Sequence, residues 1–276
     1  MGGVLWWSVR PVARETMRME YHRPRSLDEA LDLLKRSIPL AGGTSLTPGR
    51  RGLSSVVDLQ DVGLDSLEVT RTRLTAGACV TIQSLVEHAD VIPPALTEVC
   101  LLEAGWNLRN AATLGGSLMA ADGRSPLLTV LLALGTRVLL QPGNEEVGLN
   151  DFLGRRGTDL TGRLITSVSI PRPSWVSYDQ VARSPADRPA ACAAAAEMSL
   201  GGSPSRLGVA LGGFGARPLL LSSADEDPGS EDAPERIGRL ASEAYARAGD
   251  AWASPEYRSE IAGILVRRVI LEAAAP

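Results

Sequence analysis

The reading of this chain turns on Thr113-Leu114-Gly115-Gly116-Ser117-Leu118 and on an earlier stretch of the same kind, Ala41-Gly42-Gly43-Thr44-Ser45-Leu46. The later stretch precedes a helical pattern; the earlier one follows a short strand pattern. Adjacent glycines let backbone amides approach a ligand closely and adopt positive φ without strain. The hydroxyls of Thr44, Ser45, Thr113 and Ser117 add donors. Two such loops, about 70 residues apart, can clamp one diphosphate from two sides. Hydrogen bonds to a charged group contribute roughly 1.5–3 kcal/mol each, so four or five of them hold a dinucleotide without any Lys or Arg. Neither stretch is a P-loop, and neither has the GxGxxG fingerprint. Taken by residue pattern alone, two ordinary turns are the favoured reading.

Outward from these loops, the pattern alternates between helix and strand. Ser26 with Glu29 three residues later makes a capping box for a helix whose Leu27, Ala30, Leu31 and Leu34 share one face. Short strands follow at Ser37 to Ala41 and Val56 to Leu59. Leu67 to Val69 and Arg73 to Ala78 read as a hairpin. Thr81 caps one helix, Pro93-Pro94 opens another, and Leu127 to Leu134 is a largely apolar third. Arg137 to Leu140 and Leu164 to Ile170 read as strands, with Asp151 to Leu153 a short helical turn, and Pro171 and Pro173 mark a boundary. Beyond it, Tyr178 to Ala182, Ala190 to Ser199 and Arg206 to Phe214 read as antiparallel strands. An exposed acidic loop at Ser222 to Glu235 and two closing helices complete the pattern, the second starting at Ser254-Pro255. The expected fold class is α+β.

Composition narrows the function. With 276 residues, 44% of them hydrophobic, the chain can bury a core without staples. A net charge of −4 excludes a general nucleic-acid binder, which needs a basic footprint. The apolar content excludes a disordered chain. Cys79, Cys100 and Cys192 stand far apart with no CxxC spacing, and only His22 and His88 could assist them. A protein-held metal site and a disulfide framework are therefore not expected, and a reducing, cytoplasmic setting fits. Both histidines read as surface or structural residues. No run reaches the roughly 18 apolar residues of a membrane span.

The order of motifs resembles one family. It runs Tyr21…Pro24-Arg25-Ser26-Leu27-Asp28-Glu29-Ala30, then Ala41 to Leu46, Val57-Asp58-Leu59, Gly77-Ala78-Cys79-Val80-Thr81, and Leu108 to Gly116. Together with Pro255-Glu256-Tyr257-Arg258 near the end, these resemble the FAD-binding medium subunit of the molybdenum hydroxylases, such as aerobic carbon monoxide dehydrogenase and bacterial xanthine dehydrogenase. The resemblance covers about residues 19–274. It implies a vanillyl-alcohol-oxidase-type FAD-binding module at 19–170, in two subdomains of about 19–72 and 73–170. A C-terminal antiparallel sheet-and-helix domain at 171–276 then covers the flavin, and residues 1–18 are an extension, with the natural start expected near Met19. It implies FAD as cofactor, held by Ala41, Gly42, Gly43, Thr44, Ser45, Leu46, Gly77, Thr113, Leu114, Gly115, Gly116, Ser117, Asp122 and Ile165. The partners implied are a small subunit with two 2Fe–2S clusters and a large molybdenum–pterin subunit. Electrons leave for NAD or a quinone-type acceptor, and this chain supplies no catalytic acid or base.

Three positions depart from the family. Its second Asp after the later glycine loop is Pro126 here, with Asp122 a candidate replacement, and its flavin-placing Lys is Gln180. Ser117 stands where the family has Asn. Arg109 is open between supporting the later loop and facing solvent or a partner. Trp106 is expected in the core, with packing beside the adenine or flavin the alternative, and Tyr178 either near the flavin or in the core. Two other function classes use the same module: a stand-alone FAD-dependent oxidoreductase, and a flavin-free assembly subunit.

Overall fold

The computed structural model describes residues 19–48, 53–156, 160–184, 187–198, 206–222 and 232–273. The expected extension at 1–18 and most of the acidic loop lie outside these residues. The first unit is β1 (Glu20–His22), α1 (Leu27–Leu34), β2 (Ile38–Leu40) and β3 (Ser55–Asp58). β3 lies between β1 and β2, parallel to both. Ser26 caps α1 by accepting from the Glu29 amide, while Glu29 reaches back one residue further than a capping box requires, to the Arg25 amide. Ala30, Leu34, Val57 and Leu59 form a small core under this sheet.

The second unit contains β4 (Leu67–Val69), β5 (Arg73–Gly77), α2 (Ile82–Glu87), α3 (Pro94–Glu103), α4 (Trp106–Arg109), α5 (Leu114–Ala120) and α6 (Pro126–Ala133). β6 (Arg137–Gln141), β7 (Glu145–Gly148), α7 (Leu149–Arg155) and β8 (Leu164–Pro171) complete it. Its five strands run antiparallel in the order β4-β5-β8-β6-β7. β4 pairs with β5, so a division at about residue 72 would part a hairpin; the change of sheet falls between Asp58 and Leu67. All eight residues of α6 are buried. A helix apolar all round belongs inside a protein, and each fully buried Leu contributes about 1.5–3 kcal/mol. α6 therefore sits between α3 and the next sheet.

That sheet is antiparallel, in the order β12-β11-β10-β9, from β9 (Trp175–Val181), β10 (Ala191–Met198), β11 (Arg206–Gly212) and β12 (Leu219–Ser222). Small residues in β10, Ala191 to Ala196, let α6 and the closing helices approach from opposite faces. Those helices are α8 (Ala233–Ala244) and α9 (Pro255–Ala273), the second capped by Ser254 as expected. The later units meet backbone to backbone. The Gly123 amide donates to the Gly215 carbonyl, and the Gly213 amide to the Gly123 carbonyl, at 2.9 and 2.6 Å. A Cβ at Gly123 would fall 2.0 Å from the Phe214 carbonyl oxygen. Beside this seam the fully buried Arg258 donates to the Ala190 carbonyl and pairs with Asp250 at 2.9 Å. Asp250 also pairs with Arg124 at 2.8 Å.

Two elements differ from expectation. Gly115-Gly116 is not a loop but the first turn of α5, capped by Thr113. Trp106 is not in the core; it is 61% exposed on the four-residue α4.

Candidate functional site

The chain leaves the parallel sheet at Leu40 and turns at once. Gly43 has φ +68°, a conformation that costs a side-chain-bearing residue roughly 1–2 kcal/mol. The Thr47 amide closes the turn onto the Gly43 carbonyl at 2.8 Å. The amides of residues 42–46 have no acceptor among the described residues, so this loop offers a run of free donors.

The later glycine stretch is built differently. The Thr113 hydroxyl accepts from the Gly116 amide at 3.2 Å, and its carbonyl from the Ser117 amide at 2.8 Å. The Leu114 and Gly115 amides donate to the carbonyls of Val80 and Ala78, at 2.8 and 2.9 Å. The amides that a symmetric clamp would use are engaged within the protein.

The earlier stretch packs against the backbone just ahead of the later one. A Cβ at Gly42 would lie 1.6 Å from the Ala111 carbonyl oxygen, so only glycine permits this approach. Around the contact opens a cavity of about 490 Å³. Its wall includes all of Ala41 to Leu46, with Thr113, Gly115, Gly116 and Ile165. Apolar walls come from Leu34, Ile38, Pro39, Leu59, Leu140, Leu160 and Leu164, and the helix side from Met119 and Ala120. A second cavity of about 490 Å³ adjoins it, sharing Ala41, Gly42, Cys79 and Thr113, and adds polar walls from Gln60, Asp65, Ser84 and Asn110. Burial pushes the Cys79 thiol up to about 11, so it stays protonated near neutrality.

Four expected positions lie outside the first cavity's lining. Gly77 serves close packing: its Cβ would fall 2.2 Å from the Leu64 carbonyl oxygen. Leu114 is fully buried in the main core. Ser117 lies in α5, its amide on Thr113. Asp122 pairs with Arg188 at 2.6 Å and accepts from the Arg124 amide. Arg109 neither faces solvent nor bonds to the later stretch: its buried guanidinium donates to Gln83 of α2 and to the carbonyls of Leu101 and Ala104 at the end of α3. Tyr178 is buried and donates to Gln180 at 2.7 Å.

Pro126 occupies the first turn of α6, yet a carboxylate still reaches that helix start. Glu103 accepts from the Ser125 hydroxyl at 2.8 Å and the Leu127 amide at 3.1 Å. Burial raises its carboxyl above the usual range despite those donors. Sequence reasoning did not single out Glu103, the Leu160 to Leu164 turn, or Met119. The one local signal was Thr161-Gly162 just ahead of a strand; Gly162 has φ +71°. Among the described residues no group of three or more His, Cys, Asp or Glu side chains forms a metal site, and no helix is long and apolar enough to cross a membrane.

These residues fit a dinucleotide. A loop of free amides suits a diphosphate, and the apolar walls beside it suit a flat ring system. Residues 17–173 match the family described as the FAD binding domain in molybdopterin dehydrogenase, and residues 176–273 match the CO dehydrogenase flavoprotein C-terminal domain. The chain is 34% identical to the nicotine 6-hydroxylase medium subunit of Paenarthrobacter nicotinovorans, covering 93% of this chain and 98% of that one. It is 28% identical to the carbon monoxide dehydrogenase medium chain of Afipia carboxidovorans, covering 93% and 96%. Among solved structures, it superposes on reconstituted CO dehydrogenase from Oligotropha carboxidovorans with a TM-score of 0.79 at 27% identity, covering 93% and 97%. Quinoline 2-oxidoreductase from Pseudomonas putida 86 gives 0.77 at 28%, with the same coverage. The chain belongs to the FAD-binding medium subunits of the molybdenum hydroxylase family, and it is a FAD-dependent oxidoreductase subunit.

Proposed function

We propose that this chain is the electron-transfer subunit of a cytoplasmic three-subunit complex. A large molybdenum–pterin subunit oxidises the substrate, and a small subunit carries two 2Fe–2S clusters. FAD held here would supply the exchange between one-electron and two-electron transfer that joins such clusters to NAD or a quinone-type acceptor. The chain's own residues hold and shield the cofactor: Ala41 to Leu46 by their amides, Gly115 and Gly116 as part of the wall packed on Ala78 and Thr113, Ile165 and its apolar neighbours by excluding water. The domain at 19–170 carries the cofactor, and 171–276 covers it.

The observation that carries this reading is the cavity shared by the two glycine stretches, in a chain that aligns nearly end to end with medium subunits of hydroxylase and dehydrogenase complexes. The test is to purify the chain alone with bound flavin and offer it a purine, an aldehyde or carbon monoxide. No reduction is expected until the iron–sulfur and molybdenum subunits are added. Rapid reduction of the isolated chain would overturn the proposal in favour of a stand-alone oxidoreductase.

A further inference from the structure

We infer that Arg163 is a direct ligand of the FAD diphosphate, an inference that rests on reading the first cavity as the FAD site. Arg163 is the one charged residue among the described residues lining that cavity. It stands at the end of the Leu160 to Arg163 turn, its amide donating to the Leu160 carbonyl at 3.1 Å, with Gly162 at positive φ beside it. The next residue begins β8, so the side chain is set from a rigid strand end. From β7, Glu145 holds its Nη2, and the same carboxylate takes Arg155 at 2.7 Å. Those two guanidinium groups keep the Glu145 carboxyl below the usual range, so the anchor stays ionised near neutrality. The remaining guanidinium nitrogens of Arg163 have no acceptor among the described residues, and the side chain is 21% exposed.

The diphosphate is the only part of FAD that carries formal charge. The amides at the start of α5 are engaged with Ala78, Val80 and Thr113, which leaves the anion with one amide loop. A planar guanidinium presents its donors as a fork that matches phosphate oxygens. In this reading the diphosphate meets the amide loop on one side and, on the other, the guanidinium of a lining residue that Glu145 holds.

The experiment titrates the full chain, stripped of flavin, with FAD, ADP and adenosine, using wild type, Arg163→Met, Arg163→Lys and Gly43→Val. Arg163→Met is expected to weaken FAD and ADP at least tenfold, to leave adenosine unchanged, and to flatten the salt dependence of FAD binding. Arg163→Lys keeps the charge and loses the fork, so it should fall between. Unchanged FAD affinity in Arg163→Met, or equal losses for ADP and adenosine, would overturn the inference. Should Arg163→Met not fold, Arg163→Lys decides alone: ADP affinity equal to wild type overturns it, and a loss confined to the phosphate ligands supports it. Gly43→Val tests the underlying reading separately. If it keeps wild-type FAD affinity, the cavity is not the FAD site; if it loses FAD while Arg163→Met does not, only the role of Arg163 fails.

Discussion

In the loop from Gly42 to Leu46 the backbone amides have no acceptor among the described residues, whereas in Leu114 to Ser117 every amide is engaged at 2.8–3.2 Å. Both stretches carry a Gly-Gly pair beside hydroxyl residues, and both line one cavity. Their glycines answer different demands. At 43 the demand is a positive φ; at 42 it is contact with the Ala111 carbonyl; at 115 it is contact with Ala78, whose Cβ would be 2.8 Å away. A repeated motif is therefore not a repeated role: one stretch keeps its amides free to donate, and the other uses them within the protein as part of the cavity wall.

The largest effect should come from breaking the contact of the earlier stretch with the backbone just ahead of the later one. Gly42→Val places a Cβ where only 1.6 Å separates it from the Ala111 oxygen, so one segment must move. We expect loss of bound flavin and a stability cost of about 3 kcal/mol, the range of a severe packing clash; flavin absorbance and thermal melting check both. A smaller effect is expected at Gly43→Val, with the neighbouring Leu40 and Thr47 atoms 3.2 Å from the new Cβ. The fold should survive the strain of a positive φ, about 1–2 kcal/mol. FAD affinity should drop by roughly tenfold or more, the worth of one hydrogen bond to a charged group.

Smaller again is Thr113→Ala, which removes the cap of α5. A loss of about 1 kcal/mol in stability is expected, with FAD affinity falling less than in Gly43→Val because the later stretch does not donate. A larger loss of affinity there, measured by flavin fluorescence, would erase the distinction between the two regions.

The smallest effect on flavin is expected at Asp250, which lies outside both stretches; what changes there is acid stability. Burial raises the Asp250 carboxyl, but the Arg258 guanidinium and the Trp252 and Ala253 amides outweigh it, giving about 2 against an ordinary 3.8. A lowered value means that stability is fully present above pH 3.8 and is lost as pH falls toward 2. Asp250→Asn should reduce stability near neutrality and flatten that acid limb, seen by denaturant titration at several pH values.

Local chemistry made most elements legible. Ser26, Thr81 and Ser254 announced their helices because a cap is a contact within four residues. The β4–β5 hairpin was legible for the same reason. β7 was missed because Glu145-Glu146-Val147-Gly148 has too few apolar residues to alternate; its pairing to β6 is what makes it a strand. β12 was missed because Leu219-Leu220-Leu221 has no period of its own. The glycines of α5 concealed a helix start, since their propensity argues against one and the Thr113 cap overrides it. In the candidate site the two glycine stretches were legible as motifs, but the division of labour between them was not. Which amides are free depends on Ala78 and Val80, more than thirty residues away in sequence. Arg163 and Glu103 were illegible because each acts from an element that the chain brings in from elsewhere. Trp106 misled because its apolar bulk says nothing about which side of a four-residue helix faces water.

Amide hydrogen exchange of the full chain, with and without FAD, addresses the division between the two stretches most directly. The amides of residues 42–46 should exchange quickly without FAD and become strongly protected on binding, while those of residues 114–117 should change little, being bonded already. Protection gained chiefly at residues 114–117, with residues 42–46 unchanged, would contradict the account.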